Sequence, residues 1–300
     1  MPTYDLHFHA NVYGLSRRTR DSRLERIRRT LSANRLDCLA STEHSYKNPL
    51  EAYLHLAETA ADLETTVIPG VEGVSSEGID IIYLFRCEDQ LRRSLRSLRS
   101  FGWSVRDVAA IARNTGAITI VPHPFHICRS AAGNVLSSRA YSRLLAQVDY
   151  VEIHNGSALP ISTRLGRSRS RPLFKKTMGK LHKTIDLPMR HRGQGVGWAI
   201  GSDAHYPEEQ LIVGFTPKCP ADDESHFDFL RRRQRFETYH LENNYERSSF
   251  SNFGMLRSVQ AAFREGIIKE CVRTMTRANT IISVGGCYKL LSLFSLTHKL

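Results

Sequence analysis

The sequence predicts an α/β fold in which parallel strands alternate with helical crossovers, on two observations. Short apolar or β-branched runs alternate along the chain with segments of helical periodicity. Most of those runs also end on a residue type that binds cations: His7 and His9, His44, Glu72, His123, His154, and Asp203 with His205. In a barrel of parallel strands such carboxyl ends converge on one face, so positions far apart in sequence share a pocket.

The first strand is Tyr4-Asp5-Leu6, running into His7-Phe8-His9, where one intervening residue sends both imidazoles to the same side of an extended chain. An Arg-rich helix follows, capped by Asp21-Ser22, with Leu24, Ile27 and Leu31 at helical spacing and its arginines outward. Residues 36–40 make a second strand ending at Thr42-Glu43-His44, and 49–63 a helix with Pro49 near its start. A third strand, 65–68, enters Pro69-Gly70 and delivers Glu72, and 79–85 is a fourth apolar run. Helices are predicted over 90–98 and 105–114, then a strand over 117–121 stopping at Pro122-His123-Pro124. A helix over 141–148 leads to a strand at 150–153 and His154-Asn155-Gly156. Residues 162–195 break the rhythm as a basic insertion, with Arg, Lys and Ser crowding a helix over 163–183 between loops. Strands resume at 196–200, ending near Asp203, and at 211–215, before a helix near 227–232. Residues 235–251 read as a polar connection, 253–277 as amphipathic helices broken at Gly266, and 288–296 as an apolar tail. The expected division is therefore a domain over 1–235 and a helical extension over 236–300.

Composition bounds the partners. A formal charge of +12 favours anions: phosphorylated small molecules, nucleic acid or acidic surfaces. Six cysteines lie scattered without a Cys-x-x-Cys pair, which signals neither a thiolate zinc site nor a disulfide framework and places the chain in a reduced cytoplasm. No leader and no apolar run of membrane-spanning length is evident. Taken singly, His44 reads as a capping or core histidine and Glu72 as a turn carboxylate; five such stretches at strand ends together point to a cation site. Imidazole and carboxylate without thiolate suit zinc, manganese or iron, and the number of ligands suits two or three ions better than one.

Those stretches, His7-Phe8-His9, Thr42-Glu43-His44, Gly70-Val71-Glu72, His123-Pro124 and Ser202-Asp203-Ala204-His205, resemble in order the motifs of the polymerase and histidinol phosphatase (PHP) family over residues 3 to 235. The resemblance implies a distorted seven-stranded β/α barrel with a C-terminal helical extension, and phosphoester hydrolysis at a centre of two or three divalent ions. It implies that His7, His9, Glu72 and Asp203 hold one ion, that Glu72 bridges to a second held with His123, and that His44 and His205 serve a third. Three departures stand out: Val12-Tyr13-Gly14-Leu15 replaces a family aspartate, Glu43 replaces an aspartate in the second motif, and Asp80 stands near a family histidine.

The function expected is phosphomonoester hydrolysis by a metal-activated water, with Glu72 and His205 as catalytic residues and a phosphorylated small molecule as substrate. Arg17, Arg18 and Arg129, with the cluster from Arg164 to Arg171, are candidate phosphate clamps, and His154 and Asn155 are candidates for the substrate wall. A nuclease or oligonucleotide exonuclease on the same site is the first alternative, favoured by the basic balance. A non-catalytic regulator that keeps a metal site is the second. Oligomeric state has no signature in the sequence.

Overall fold

The computed structural model describes residues 1–126, 130–159, 195–241, 267 and 269–274. Along the chain run β1 (Thr3–Phe8), α1 (Arg17–Asn34), β2 (Cys38–Ser41), α2 (Pro49–Thr59), β3 (Thr66–Val74), β4 (Asp80–Leu84), α3 (Glu88–Ser94), α4 (Val108–Thr115), β5 (Ile118–Val121), α5 (Ala132–Val135), α6 (Ser138–Leu145) and β6 (Tyr150–Asn155). After these come β7 (Gly197–Gly201), β8 (Ile212–Phe215), α7 (His226–Arg231) and β9 (Glu237–His240). A helical segment at 269–274 completes the described chain. The basic helix at 163–183, the tail at 288–296 and most of the 253–277 helices lie outside the described residues.

The strands form one nine-stranded sheet in the order β7-β6-β5-β4-β3-β2-β1-β8-β9. Its ends curl towards each other. Just past β7, Asp203 N donates to His7 O at 2.7 Å and His9 N to Ala204 O at 3.1 Å. At the other end of β7, Trp198 N donates to Gln234 O at 2.9 Å and Phe236 N to Trp198 O at 3.2 Å, on the approach to β9. The result is a nearly closed, barrel-like mixed sheet.

The expectation of parallel strands throughout is corrected here. Pairings β1–β2, β2–β3, β5–β6 and β6–β7 are parallel, whereas β3–β4, β4–β5, β1–β8 and β8–β9 are antiparallel. The cause at β4 is loop length. A parallel crossover needs a dozen or more residues, but β3 and β4 are joined by a tight turn in which Gly78 takes φ +84° and Ser75 N bonds Ile79 O. Strand β9 is a second correction, since 235–251 was expected to be a polar connection. Glu237-Thr238-Tyr239-His240 is mostly exposed and carries no apolar alternation, yet it pairs with β8 along its whole length.

Helix ends follow local chemistry. Helix α1 is capped by Ser16, whose hydroxyl accepts from Thr19 N, and not by Asp21-Ser22. The first turn is Arg-Arg-Thr-Arg, so no apolar period marks it; Ile27 and Leu31 carry the buried face. Helix α2 starts with Asn48 accepting from Glu51 N and Pro49 in the first turn. Both faces of the sheet are covered: β1 is buried from Tyr4 to Phe8, with Tyr4 and Leu6 in one apolar cluster and Phe8 in another with Ile27, Leu31 and Leu56. No helix among the described residues is long and apolar enough to cross a membrane.

Tyr150 ties β6 to the segment after α7. Its hydroxyl donates to Leu230 O at 2.5 Å and accepts from Gln234 N at 2.9 Å, all in the interior. Tyr150→Phe strands the Gln234 N–H without that acceptor and is expected to cost about 1–3 kcal/mol, read as a lower denaturant midpoint at unchanged slope.

Candidate metal centre

The parallel strands deliver their ends to one face, and β3 runs on past Pro69-Gly70 so that Glu72 reaches its middle. Beyond β5, His123 takes φ +29°, and beyond β7, Asp203 takes φ +49°. A left-handed backbone at a side chain as large as histidine costs about 1 kcal/mol or more and persists where the surroundings impose it, typically at functional sites. Two of the candidate ligands thus carry backbone strain.

Glu72 stands among four imidazoles. Its Oε1 lies 3.0 Å from His123 Nε2 and 3.7 Å from His7 Nε2, and its Oε2 lies 2.6 Å from His44 Nδ1 and 3.6 Å from His9 Nε2. Asp203 Oδ1 is 3.5 Å from His7 Nε2, 3.4 Å from His9 Nε2 and 3.7 Å from His205 Nδ1. The Nε2 atoms of His7 and His9 face each other at 3.1 Å. Three overlapping groups result, each with its ligand atoms within 4.8 Å of one another: His7, His9 and Asp203; His7, Glu72 and His123; His9, His44 and His205. Every metal candidate read from the sequence falls in at least one of them.

A second layer of buried carboxylates orients the rings. Glu152 Oε1 lies 3.2 Å from His7 Nδ1, while its Oε2 accepts from His123 N at 2.5 Å and from Asn155 Nδ2 at 2.8 Å. Glu43 stands behind His9 as a charge partner, with Oε1 at 3.4 Å from Nδ1, and its Oε2 accepts from Asn11 N at 2.7 Å. Each ring is thereby turned to present Nε2 to the cluster. Glu43 is matched by the buried Lys47 ammonium at 3.2 Å, which also reaches Asn11 Oδ1 at 3.2 Å. Asp5, lying below, accepts from His7 N, Ser202 N, the Ser202 hydroxyl and Gln210 Nε2, and so pins β1 to the end of β7.

Charge balance tests whether cations fit. Glu72, Glu152 and Asp203 are buried, and among the described residues none has a Lys or Arg partner; imidazoles, amides and backbone N–H groups are all they meet. Three buried anions without fixed cations are costly unless positive charge is supplied. Without ions, protons supply it. Burial opposes charge on His7, but Asp203 and Glu152 outweigh it and hold the ring well above its ordinary value. His9 is likewise raised to about 9, despite burial, by Asp203 and Glu43. Glu72 and Asp203 are held well below the usual carboxylate range: burial works against this, and His44 for Glu72 and His7 for Asp203 prevail. His205 goes the other way, to about 4, through burial and the neighbouring positive His9. The donors are therefore suited to divalent ions, which would displace those protons. At pH 7.5 loading is expected to release at least one proton per chain, because His9 titrates near 9 in the ion-free protein. Calorimetric titration in buffers of different ionisation enthalpy reads this directly; no dependence on buffer would contradict it.

The remaining candidates fall elsewhere. His154 is turned towards β9, its Nδ1 2.8 Å from the Thr238 hydroxyl. A register irregularity between Glu152 and His154 explains why, since a bulge shifts the alternation and sends Glu152 inward in its place. Asn155, expected at the substrate wall, is 2% exposed and holds Asp203 Oδ2 at 3.2 Å from beneath. Arg17 and Arg18 sit in the exposed first turn of α1; Arg17 lines a groove against α2 with Arg20, His55 and Glu58, away from the cluster. Arg129 and the Arg164 to Arg171 cluster lie outside the described residues. Val151-Glu152-Ile153-His154-Asn155 resembles the family's Glu-x-x-Asn segment, but neither Glu152 nor Lys47 is given a role by the sequence; burial is what marks them.

No protein-family model matches this chain, and no curated protein matches it. Among solved structures, PsfC from Pseudomonas syringae PB-5123 is 15% identical with a TM-score of 0.49, over 92% of this chain and 98% of that one. The lesion-specific endonuclease PfuEndoQ from Pyrococcus furiosus is 14% identical with a TM-score of 0.47, over 76% of this chain and 56% of its own. Endonuclease Q bound to a 27-mer duplex substrate with an abasic lesion is 14% identical with a TM-score of 0.46, over 74% and 55%.

Proposed function

We propose that the chain is a divalent-metal-dependent phosphoesterase acting on phosphomonoesters, in a PHP-like barrel. The observation that carries this is Glu72, a buried carboxylate with four imidazoles on its two oxygens and no Lys or Arg partner among the described residues. His7, His9 and Asp203 would hold one ion, Glu72 would bridge it to a second held with His123, and His44 with His205 would serve a third. Each of His7 and His9 turns a single nitrogen to the cluster, so the three groups share ligands and cannot fill independently. Ions held there would supply Lewis acidity to a phosphoryl group and lower the pKa of a water towards about 7.

The chain's own residues set the rest. Glu152 fixes the tautomer of His7, Glu43 stands beside His9 Nδ1 as its charge partner, and Asn155 fixes the carboxylate plane of Asp203. Exposure grades outward, from His7 and His9, whose side chains are fully buried, to His205 at 22%, so substrate meets the cluster from the His205 side. A His205 held neutral there keeps its lone pair free to coordinate, which is the role we assign it beside Glu72.

The test is hydrolysis of p-nitrophenyl phosphate against a labelled oligonucleotide, each with manganese and after chelation, with elemental analysis of protein purified without added metal. Manganese-dependent release of p-nitrophenol is expected. Cleavage of the oligonucleotide alone would turn the assignment to a nuclease, and turnover of neither by metal-loaded protein would turn it to a regulator.

A further inference from the structure

Asp80 opens β4, and because β4 runs antiparallel to β3, it pairs with Val74 at the end of the sheet where Glu72 lies. Its carboxylate is 4% exposed, with Oδ2 4.0 Å from His123 Nε2. Both oxygens accept from Lys269 Nζ, at 2.5 and 2.7 Å. That lysine belongs to the helical segment at 269–274, 189 positions further along the chain. Three residues on, Val272 is buried in a cluster with Tyr46, Val74 and Phe101, and the Tyr46 ring stacks on His44 at 4.8 Å. One side of the segment therefore rests beside His44, and its lysine reaches the neighbourhood of His123.

Building on the phosphoesterase reading, we propose that Lys269 binds the phosphoryl oxygens of the substrate, which makes the C-terminal segment part of the active site. Asp80 is the positioning residue that aims the ammonium, and it is not a metal ligand. Two arguments support the division of roles. A divalent ion on Asp80 would stand against an ammonium already bound to both of the same oxygens, a like-charge contact that is severe in a buried setting. An ammonium is a compact point charge suited to phosphate, and the Lys269 side chain is 20% exposed where that of Asp80 is 4%, so the lysine lies on the solvent side of the carboxylate. The basic side chain that sequence reading sought among Arg17, Arg18 and Arg129 is in this account Lys269.

The experiment titrates inorganic phosphate calorimetrically into manganese-loaded full-length protein, wild type against Lys269→Met, Lys269→Arg and Asp80→Asn, with the ion content of each measured. Phosphate affinity is expected to fall about tenfold in Lys269→Met, the worth of one charge-assisted hydrogen bond, and to be largely kept in Lys269→Arg. Asp80→Asn is expected to weaken phosphate several-fold at an ion content equal to wild type. Equal phosphate affinity in wild type and Lys269→Met, including no binding by either, overturns the proposal, as does loss of an ion in Asp80→Asn. Phosphate binding that depends on Lys269, in a wild type that hydrolyses no phosphoester, supports the anion site and removes the hydrolase reading instead.

Discussion

Glu72→Gln is expected to lower metal-dependent hydrolysis by about a thousandfold, roughly 4 kcal/mol of barrier at 1.36 kcal/mol per decade. The substitution keeps the shape of the side chain and removes one charge. An amide offers a single carbonyl oxygen where the carboxylate offers two, and Glu72 uses both: Oε1 towards His123 and His7, Oε2 towards His44 and His9. Whichever way the amide is turned, its NH2 faces two of those rings and repels any cation between them. At least one ion per chain is therefore expected to be lost as well, by elemental analysis after dialysis. Glu152→Gln is the informative comparison, since Glu152 orients His7 from behind; there the expected loss is about 10- to 100-fold in metal affinity. A Glu72→Gln variant with its full complement of ions and wild-type turnover would remove the basis of the assignment.

The contrast between these two glutamates also marks what sequence could reveal. Candidate ligands at strand ends are legible because a strand alternates with period two and because Pro and Gly punctuate its exit, as at Pro69-Gly70 before Glu72 and Pro122-His123-Pro124. Glu152 sits within Tyr150-Val151-Glu152-Ile153, and there alternation gives no hint that a bulge two residues on will turn it inward and His154 outward. Lys47 meets Glu43 at a spacing of four residues, but nothing in the sequence marks that pair as buried, and Lys269 meets Asp80 by tertiary packing across 189 positions, which no local pattern encodes. The apolar run over 79–85 matches β4 to within a residue at each end, but strand direction depends on a five-residue turn, and the rhythm of the neighbouring parallel units does not signal it. The cap of α1 was missed because a solvent-facing first turn of arginines has no apolar rhythm to read.

Gly201→Ala is expected to be the most damaging glycine-to-alanine change among the described residues. Gly201 ends β7, where it pairs with Asn155 of β6, directly before the Ser202-Asp203 turn. A Cβ there would lie 2.2 Å from Glu152 Oε1 and 2.3 Å from His7 Cβ. The second contact cannot be relieved by a rotamer, since His7 Cβ moves only with the backbone of β1, and Asp203 N donates to His7 O at 2.7 Å on the same ladder. The first could be relieved only by swinging Glu152 away from His7 Nδ1 and the His123 N–H, which leaves a buried carboxylate and a buried donor unpaired. Reduced freedom of the unfolded chain returns roughly 0.4–1 kcal/mol for a glycine-to-alanine change. Forced separation of packed strands, or loss of a buried ionic partner, costs about 3 kcal/mol or more, so the penalty wins. Stability and metal content are expected to fall together, because the atoms displaced are the ones that orient His7 and His123. Gly78→Ala separates packing from backbone strain: φ is +84° but nothing lies within 4 Å of its Cβ, so a cost of about 1 kcal/mol with full metal content is expected. Denaturant midpoints and ion content of the two variants decide the matter, and a Gly201→Ala protein as stable and as metal-rich as Gly78→Ala would show that β7 does not press on the centre as described.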